Sequence, residues 1–225
     1  MSEKVGNILS ATEYGKIETL YERDEKTFKV RVGELKNRTY SLLKTWNWTE
    51  KIDGTNIRCI YRDGKITFGG RSDNAQIHAD LIEWLYENVT VEKLSAIFPP
   101  KDGVGADVVI YGEGFGAGIQ KGGGDYSPHK KLIVFDVLID SKWWLSHENV
   151  CDISSKIGLD VVPSFGEMTL EDATEFVRRG FKSKCAINIS KNAEGLVGRP
   201  LETLFDKKGH RLIVKLKTKD FPSGD

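Results

Sequence analysis

The sequence is poor in residues that crosslink. Its three cysteines, Cys59, Cys151 and Cys185, lie far apart along 225 residues, with no Cys-x-x-Cys pair. This argues against a disulfide framework, so reduced thiols in a reducing compartment are expected. The four histidines show no metal-ligand spacing, which argues against zinc. Excess charge is absent too: 33 Lys and Arg balance 33 Asp and Glu. A neutral chain is not built to coat nucleic acid indiscriminately, although a local basic groove stays open. Long apolar runs are also missing; the longest are strand length, and Asp136 interrupts the one from Leu132 to Ile139. No transmembrane helix or signal peptide is therefore expected, and the chain should reside in the cytoplasm.

What is present is a globular composition, 39% hydrophobic and 29% charged, long enough for one large domain or two small ones. Residues 1–45 are polar and charge-rich, with a strand expected near Thr27 to Val32. Lys16 and the pair Arg23-Asp24 fall on connecting segments. From Trp46 the pattern turns to β. Asn56 to Arg62 and Lys65 to Gly70 flank Asp63-Gly64, a hairpin signal, and Arg71 follows at the strand end. Leu81, Ile82, Leu85 and Val89 share a helical face within 78–98, Thr90 caps a second short helix, and Pro99-Pro100 ends it. Val108 to Tyr111 reads as a buried strand delivering Glu113. The glycine-rich stretch from Gly112 to Gly124 has no Gly-Lys-Ser/Thr and reads as a mobile loop, not a phosphate-binding one. After a strand over Lys131 to Asp140, Ser146 caps a helix to Ile157 and Thr169 caps one ending at Gly180. Strands are then expected at Ala186 to Ile189 and Gly195 to Gly198. A hairpin of Thr203 to Asp206 with Arg211 to Lys217 closes the chain. There are no repeats, and the expected fold is α+β, with antiparallel sheets enclosing a cleft and helices outside.

The stretch that organises the chain is Glu50-Lys51-Ile52-Asp53-Gly54-Thr55-Asn56. Asp53-Gly54 reads as a hairpin turn between Trp46 to Ile52 and Asn56 to Tyr61, which places Lys51 at a strand end. On its own this could be a solvated surface lysine. Downstream, in order, come Tyr111-Gly112-Glu113-Gly114, Leu132 to Asp136, Glu194-Gly195-Leu196-Val197 and Val214-Lys215-Leu216-Lys217. Lys215 and Lys217 alternate along a strand, so both leave the same face and can contact one phosphate together.

Taken in order, the five segments resemble the nucleotidyltransferase motifs of covalent ligases and mRNA capping enzymes. Lys-x-Asp-Gly-x-Asn and the upstream Tyr14-Gly15-Lys16-Ile17-Glu18 look most like the RNA ligase 2 family. The resemblance runs from Tyr14 to Phe221 and implies a single adenylation domain over 1–225, an α+β, ATP-grasp-like fold around a nucleotide cleft. It implies that Lys51 attacks the α-phosphate of ATP and becomes a lysyl-AMP. The AMP then passes to an RNA 5′-phosphate, and a 3′-hydroxyl displaces it. An amine attacks only when deprotonated, and an ordinary lysine pKa of about 10.4 leaves little free amine near neutrality. Neighbouring cations and partial burial lower it. Lys215 and Lys217 are then the cations that face the developing charge. By resemblance Glu194 holds magnesium or manganese, with Asp136 in a metal or network role. Glu113 binds the ribose hydroxyl, Phe135 stacks on the base, Glu50 accepts from the adenine amino group, and Asn56 and Arg71 touch nucleotide phosphate and RNA ends.

The expected partners are ATP and RNA ends or nicked RNA duplex, with no membrane and a monomeric chain. Virus-encoded action in a host cytoplasm fits the same expectation. One departure stands out: eight residues follow Lys217, whereas DNA ligases and capping enzymes continue into an OB-fold and RNA ligase 2 proteins carry a helical C-terminal domain. Either the chain is naturally minimal or it is truncated. Five basic and no acidic residues between Arg178 and Lys191 make a candidate RNA patch or a solvated helix end. The rival readings are a small ATP-dependent DNA ligase, a GTP-using capping guanylyltransferase, and a non-catalytic nucleotide- or RNA-binding relative.

Overall fold

The computed structural model describes residues 13–100 and 105–221. These gather into two compact units. One holds Asp53–Val161 with the described residues before Lys16; the other holds Lys16–Ile52 and the described residues from Val162 onward. The chain therefore passes from one unit to the other between Ile52 and Asp53, inside the Lys-x-Asp-Gly motif.

In chain order the strands begin with β1 (Glu18–Thr19), β2 (Tyr21–Arg23), β3 (Val30–Leu35) and β4 (Trp46–Lys51). Then come β5 (Thr55–Arg62), β6 (Lys65–Gly69), β7 (Val108–Phe115), β8 (Lys131–Ile139) and β9 (Trp143–Trp144). The last four are β10 (Asp160–Val161), β11 (Ser164–Met168), β12 (Gly195–Arg199) and β13 (Val214–Lys217). The α-helices are α1 (Ala79–Asn88), α2 (Val91–Ile97), α3 (His147–Ile157) and α4 (Leu170–Arg179). The α+β expectation holds, and the sheets are antiparallel except where β1 joins β13 and β10 joins β8 in parallel. Among the described residues no helix is long and apolar enough to cross a membrane.

The five-stranded unit runs β1-β13-β12-β4-β11. Its strands alternate: Trp46, Trp48, Leu196, Val214 and Leu216 enter a core shared with Leu170, Ala173 and Val177 of α4. Thr169 caps α4 by accepting from the amide of Asp172, a contact worth about 1 kcal/mol. The six-stranded unit runs β10-β8-β7-β5-β6, with β9 on β8. One face of that sheet, with Ile57, Cys59, Ile110, Leu132, Val134 and Val137, packs on Leu81 and Leu85 of α1, Leu94 of α2, and Val150 and Ile157 of α3. Asp63 and Gly64 take positive φ in the β5–β6 turn, as its Asp-Gly pair demands.

Several expectations are corrected. Asp53-Gly54 is not a hairpin turn, because β4 pairs with β12 and β11 while β5 pairs with β6 and β7. Gly54 serves close approach instead: a Cβ there would lie 2.2 Å from the Gly114 carbonyl oxygen. The Gly112 to Gly124 stretch is not a loose loop. β7 continues through Phe115, and a Cβ on Gly123 would lie 2.1 Å from the Gly116 carbonyl oxygen, so the glycines let the turn fold against itself. Ala186 to Ile189 forms no strand, and the Thr203 to Asp206 hairpin is reduced to a single bridge between Phe205 and Arg211. The early strand lies at Val30–Leu35, later than Thr27 to Val32.

Gly54→Ala should destabilise the protein by about 1–3 kcal/mol, the usual cost of forcing atoms into filled space. Gly15→Ala, where a Cβ meets nothing within 4 Å, should change stability by less than about 0.5 kcal/mol. Urea unfolding of both variants checks the contrast; equal effects would mean that the Gly54 contact is not tight.

Candidate active site

In the five-stranded unit the register does the positioning. Gly195 of β12 lies opposite Lys51 of β4 on one side and Lys217 of β13 on the other. Opposed residues share a face, so both lysines rise from the face away from Trp48 and Leu216. Gly195 is required there: its φ is +155°, and a Cβ would sit 1.9 Å from the Leu216 carbonyl oxygen. The missing side chain admits the neighbouring strand.

Glu194, one residue earlier, reaches both lysines. One carboxylate oxygen lies 2.6 Å from Lys51 Nζ and the other 2.6 Å from Lys217 Nζ. Its backbone carbonyl accepts from the amide of Thr218 at 2.9 Å, which fixes the start of β12. Burial alone would raise the Glu194 pKa. Attraction to Lys51 and hydrogen bonds from Lys217 and Lys51 outweigh it, so the carboxyl is held below its ordinary range.

Lys215 sits two residues before Lys217 on the same face. Desolvation by burial, then repulsion from Lys217 and Lys51, lowers its pKa from the ordinary 10.5 to about 8. Glu50 takes the other face of β4. It is buried with Trp48, its carboxylate accepting from the Ser183 hydroxyl and, at 2.8 Å, from the Lys184 amide. Burial raises its pKa against these hydrogen bonds. Both of its oxygens thus hold the 183–186 turn in the same unit that carries Lys51. The basic stretch from the end of α4 is largely engaged: Arg178 and Arg179 both pair with Glu175, and Lys182 donates to the Ser190 carbonyl and the Asn192 side chain.

The remaining candidates lie in the six-stranded unit. Asn56, Glu113 and Ile133 are in register on the sheet face opposite the helices, as are Arg58, Tyr111 and Asp136. Asn56 Oδ1 is buried without a partner among the described residues. Between Tyr111 and Gly112 the β7–β8 pairing slips by one residue, so Phe135 is the extra residue of a β-bulge. That explains why Phe135 is half-buried and outside the helix-packed core although the run Leu132 to Val134 before it is apolar. Its ring meets Tyr14 edge-on at 5.1 Å, and Tyr14 donates to buried Asp136 at 2.7 Å. Arg71 is exposed and makes no ion pair or hydrogen bond among the described residues. Sequence reading missed Arg58, a wholly buried guanidinium that donates to the Gly70 carbonyl and the Asp73 carboxylate. Its one signal is an arginine between two core positions, Ile57 and Cys59, in phase with Asn56 on the other face of the strand.

Among the described residues no three His, Cys, Asp or Glu side chains cluster as a metal cage. Glu194 is the carboxylate facing the lysines, and it suits a hard cation that takes its other ligands from phosphate oxygens.

Because Lys215 loses its proton near pH 8 when folded and near 10.5 when unfolded, the unfolded chain binds more protons between those values. That contribution is flat below about pH 8 and raises stability as pH climbs towards 10.5. Lys215→Met should remove this rise in unfolding titrations, whereas a rise that persists would assign it elsewhere.

Comparison with known proteins follows the same lines. The family model described as RNA ligase matches residues 44–217. A search of curated sequences finds no match. Among solved structures, Naegleria gruberi RNA ligase with PPi aligns at TM-score 0.62 and 18% identity, covering 94% of this chain and 60% of that one. A mutant of the same Naegleria gruberi ligase with ATP and Mn aligns at TM-score 0.63 and 17% identity, covering 92% and 62%. A mutant with AMP and Mn gives 0.62 and 16%, covering 91% and 61%. The chain thus spans about three fifths of the length of the solved ligases it matches. With a family model over 44–217 and the lysine, glutamate and paired-lysine segments in one sheet register, the chain belongs to the RNA ligase family.

Proposed function

We propose that this protein is an ATP-dependent RNA ligase working through a covalent lysyl-AMP. The observation that carries the reading is the row Lys51–Gly195–Lys217, bridged by Glu194 across 143 residues of sequence. A lysine nucleophile, a carboxylate and two further lysines converge on one face.

In this reading Lys51 Nζ attacks the α-phosphorus of ATP. A P–N bond forms, the P–O bond to the β-phosphate breaks, pyrophosphate leaves, and the amine gives up its proton. A 5′-phosphate oxygen of RNA then displaces Lys51, and the AMP becomes part of a 5′–5′ pyrophosphate. Attack by a 3′-hydroxyl releases AMP and leaves a phosphodiester. Lys215 and Lys217 supply fixed positive charge where negative charge grows, so no solvent need reorganise at the moment of reaction. A divalent cation, magnesium or manganese, would be held by Glu194 with phosphate oxygens and would neutralise charge on them. Asn56, with its unpaired oxygen, and Glu113 in the same row suit hydroxyl donors such as those of a ribose. Phe135, set out from the core by the bulge, suits a base face. Glu50, whose carboxylate holds the 183–186 turn, would have to share an oxygen to read an adenine amino group.

RNA ends or a nicked RNA duplex would be the second substrate, taken by a monomer. The three cysteines form no disulfide, which favours a reducing compartment such as the cytosol.

Mass spectrometry after incubation with ATP and magnesium should show an AMP adduct on the wild-type protein. Lys51→Ala should abolish it while leaving the circular dichroism spectrum unchanged. An adduct on the alanine variant would assign the nucleophile elsewhere, and a GMP adduct on the wild-type protein in a parallel incubation with GTP, with none from ATP, would favour the capping-type reading. Lys215→Ala and Lys217→Ala should each slow adduct formation more than about tenfold, roughly 1.4 kcal/mol in the barrier. Smaller losses would put both lysines outside the reaction.

A further inference from the structure

Arg58 is unusual in its surroundings. It stands on β5 between Ile57 and Cys59, both of which enter the helix-packed core, and its own residue exposure is 0%. A buried guanidinium must have each of its costs offset by partners, because an unpaired buried charge is strongly destabilising. Two of these partners lie on the short turn that follows β6. Arg58 Nε donates to the Gly70 carbonyl at 2.6 Å, and a terminal nitrogen donates to Asp73 Oδ1 at 2.9 Å.

The turn is shaped to receive it. Gly69 is the register partner of Arg58, and a Cβ there would lie 2.9 Å from the guanidinium. A Cβ on Gly70 would lie 2.7 Å from that of Ala75, so glycine lets the turn close on itself. The Ala75 amide completes it by donating to the Ser72 carbonyl at 3.1 Å. Arg71 lies between the two anchors, exposed and with no hydrogen bond or ion pair of its own among the described residues.

We propose that Arg58 is a positioning residue for Arg71. By clamping the chain one residue before and two residues after it, Arg58 holds the exposed guanidinium ready for a phosphate group. The phosphate is that of ATP or of the RNA 5′ end. This rests on the ligase reading above, in which Arg71 meets phosphate. A guanidinium suits the clamp because its planar fork donates to the carbonyl and the carboxylate from separate nitrogens in a fixed geometry, whereas an ammonium donates from one flexible point.

The test compares Arg58→Lys, Arg71→Ala and the double variant, with Asp73→Ala as the alternative break in the clamp should Arg58→Lys fail to fold. Lysyl-AMP formation across ATP concentrations, and AMP transfer across concentrations of 5′-phosphorylated RNA, separate the two phosphate sources. Arg58→Lys should raise KM at least fivefold in the same arm that Arg71→Ala affects, with kcat changed less than KM. In the Arg71→Ala background it should cost less than twofold further. Effects that multiply in the double variant would overturn the proposal, as would a KM change in the arm that Arg71→Ala spares.

A second measurement needs no nucleotide. Amide hydrogen exchange in the peptide covering 69–76 should speed at least tenfold in Arg58→Lys or Asp73→Ala and stay unchanged in Arg71→Ala. Unchanged exchange in the clamp variants would overturn the positioning role even if the ligase reading stands. Absence of an AMP adduct on the wild-type protein, with faster exchange in the clamp variants, would overturn the phosphate role together with that reading.

Discussion

Three lysines on one face of a sheet repel one another, and a single carboxylate makes their gathering tolerable. At an effective dielectric near 20, unit charges about 4 Å apart interact by about 4 kcal/mol, a large share of a typical net stability of about 5–15 kcal/mol. Glu194 meets Lys51 and Lys217 at 2.6 Å each and remains ionised despite its burial. Lys215 has no such contact, and its charge is the one that weakens, with a pKa near 8. The electrostatics therefore divide the lysines into two paired with a carboxylate and one poised to titrate, although Lys215 and Lys217 share a face of one strand.

The five-stranded unit holds this arrangement because β12 is flanked on both sides. Its glycine admits β13, its leucine fills the core beneath, and its preceding glutamate reaches over both edges. The six-stranded unit works differently. Its helix-free face is polar by construction, with Asn56, Arg58, Glu113 and Asp136 in adjoining rows, and each row crosses strands that are apolar on the other side. The Lys-x-Asp-Gly motif belongs to both units: Lys51 ends a strand of one, and Asp53-Gly54 opens the other.

Much of this was legible before any coordinates. Helices were readable where a capping hydroxyl preceded an apolar stripe, as at Ser146 and Thr169, because capping is a local event. The β5–β6 hairpin was readable for the same reason, its Asp-Gly turn being settled within a few residues. The identical dipeptide at Asp53-Gly54 misled, since what decides between a turn and a crossover is the distant strand that each flank pairs with. Of the site, Lys51, Glu194 and Lys217 were readable as motifs, but their meeting depends on register between strands more than 140 residues apart. Glu50 was legible only as the neighbour of Lys51; alternation along β4 sends it to the opposite face, where a distant serine and backbone amide claim it. Arg58 left almost no trace, because an arginine in phase with Asn56 and opposite Ile57 and Cys59 reads as a solvated face until the turn that covers it is known.

The bulge at Phe135 has a consequence for how β8 tolerates change in length. Before the bulge, even-numbered residues Leu132 and Val134 face the helices; after it, odd-numbered Val137 does so, and Asp136 faces away. The extra residue thus acts as a phase shifter between two patterns that a plain strand could not carry together. Deleting Phe135 would leave a plain strand in which Asp136 and Val137 keep their faces, whereas inserting one residue there would turn the stretch beyond it over. The Asp136 carboxylate would then enter the aliphatic layer, and Val137 would leave it. A strand that looks uniformly greasy in the sequence is, for this reason, more forgiving of losing one residue at the bulge than of gaining one.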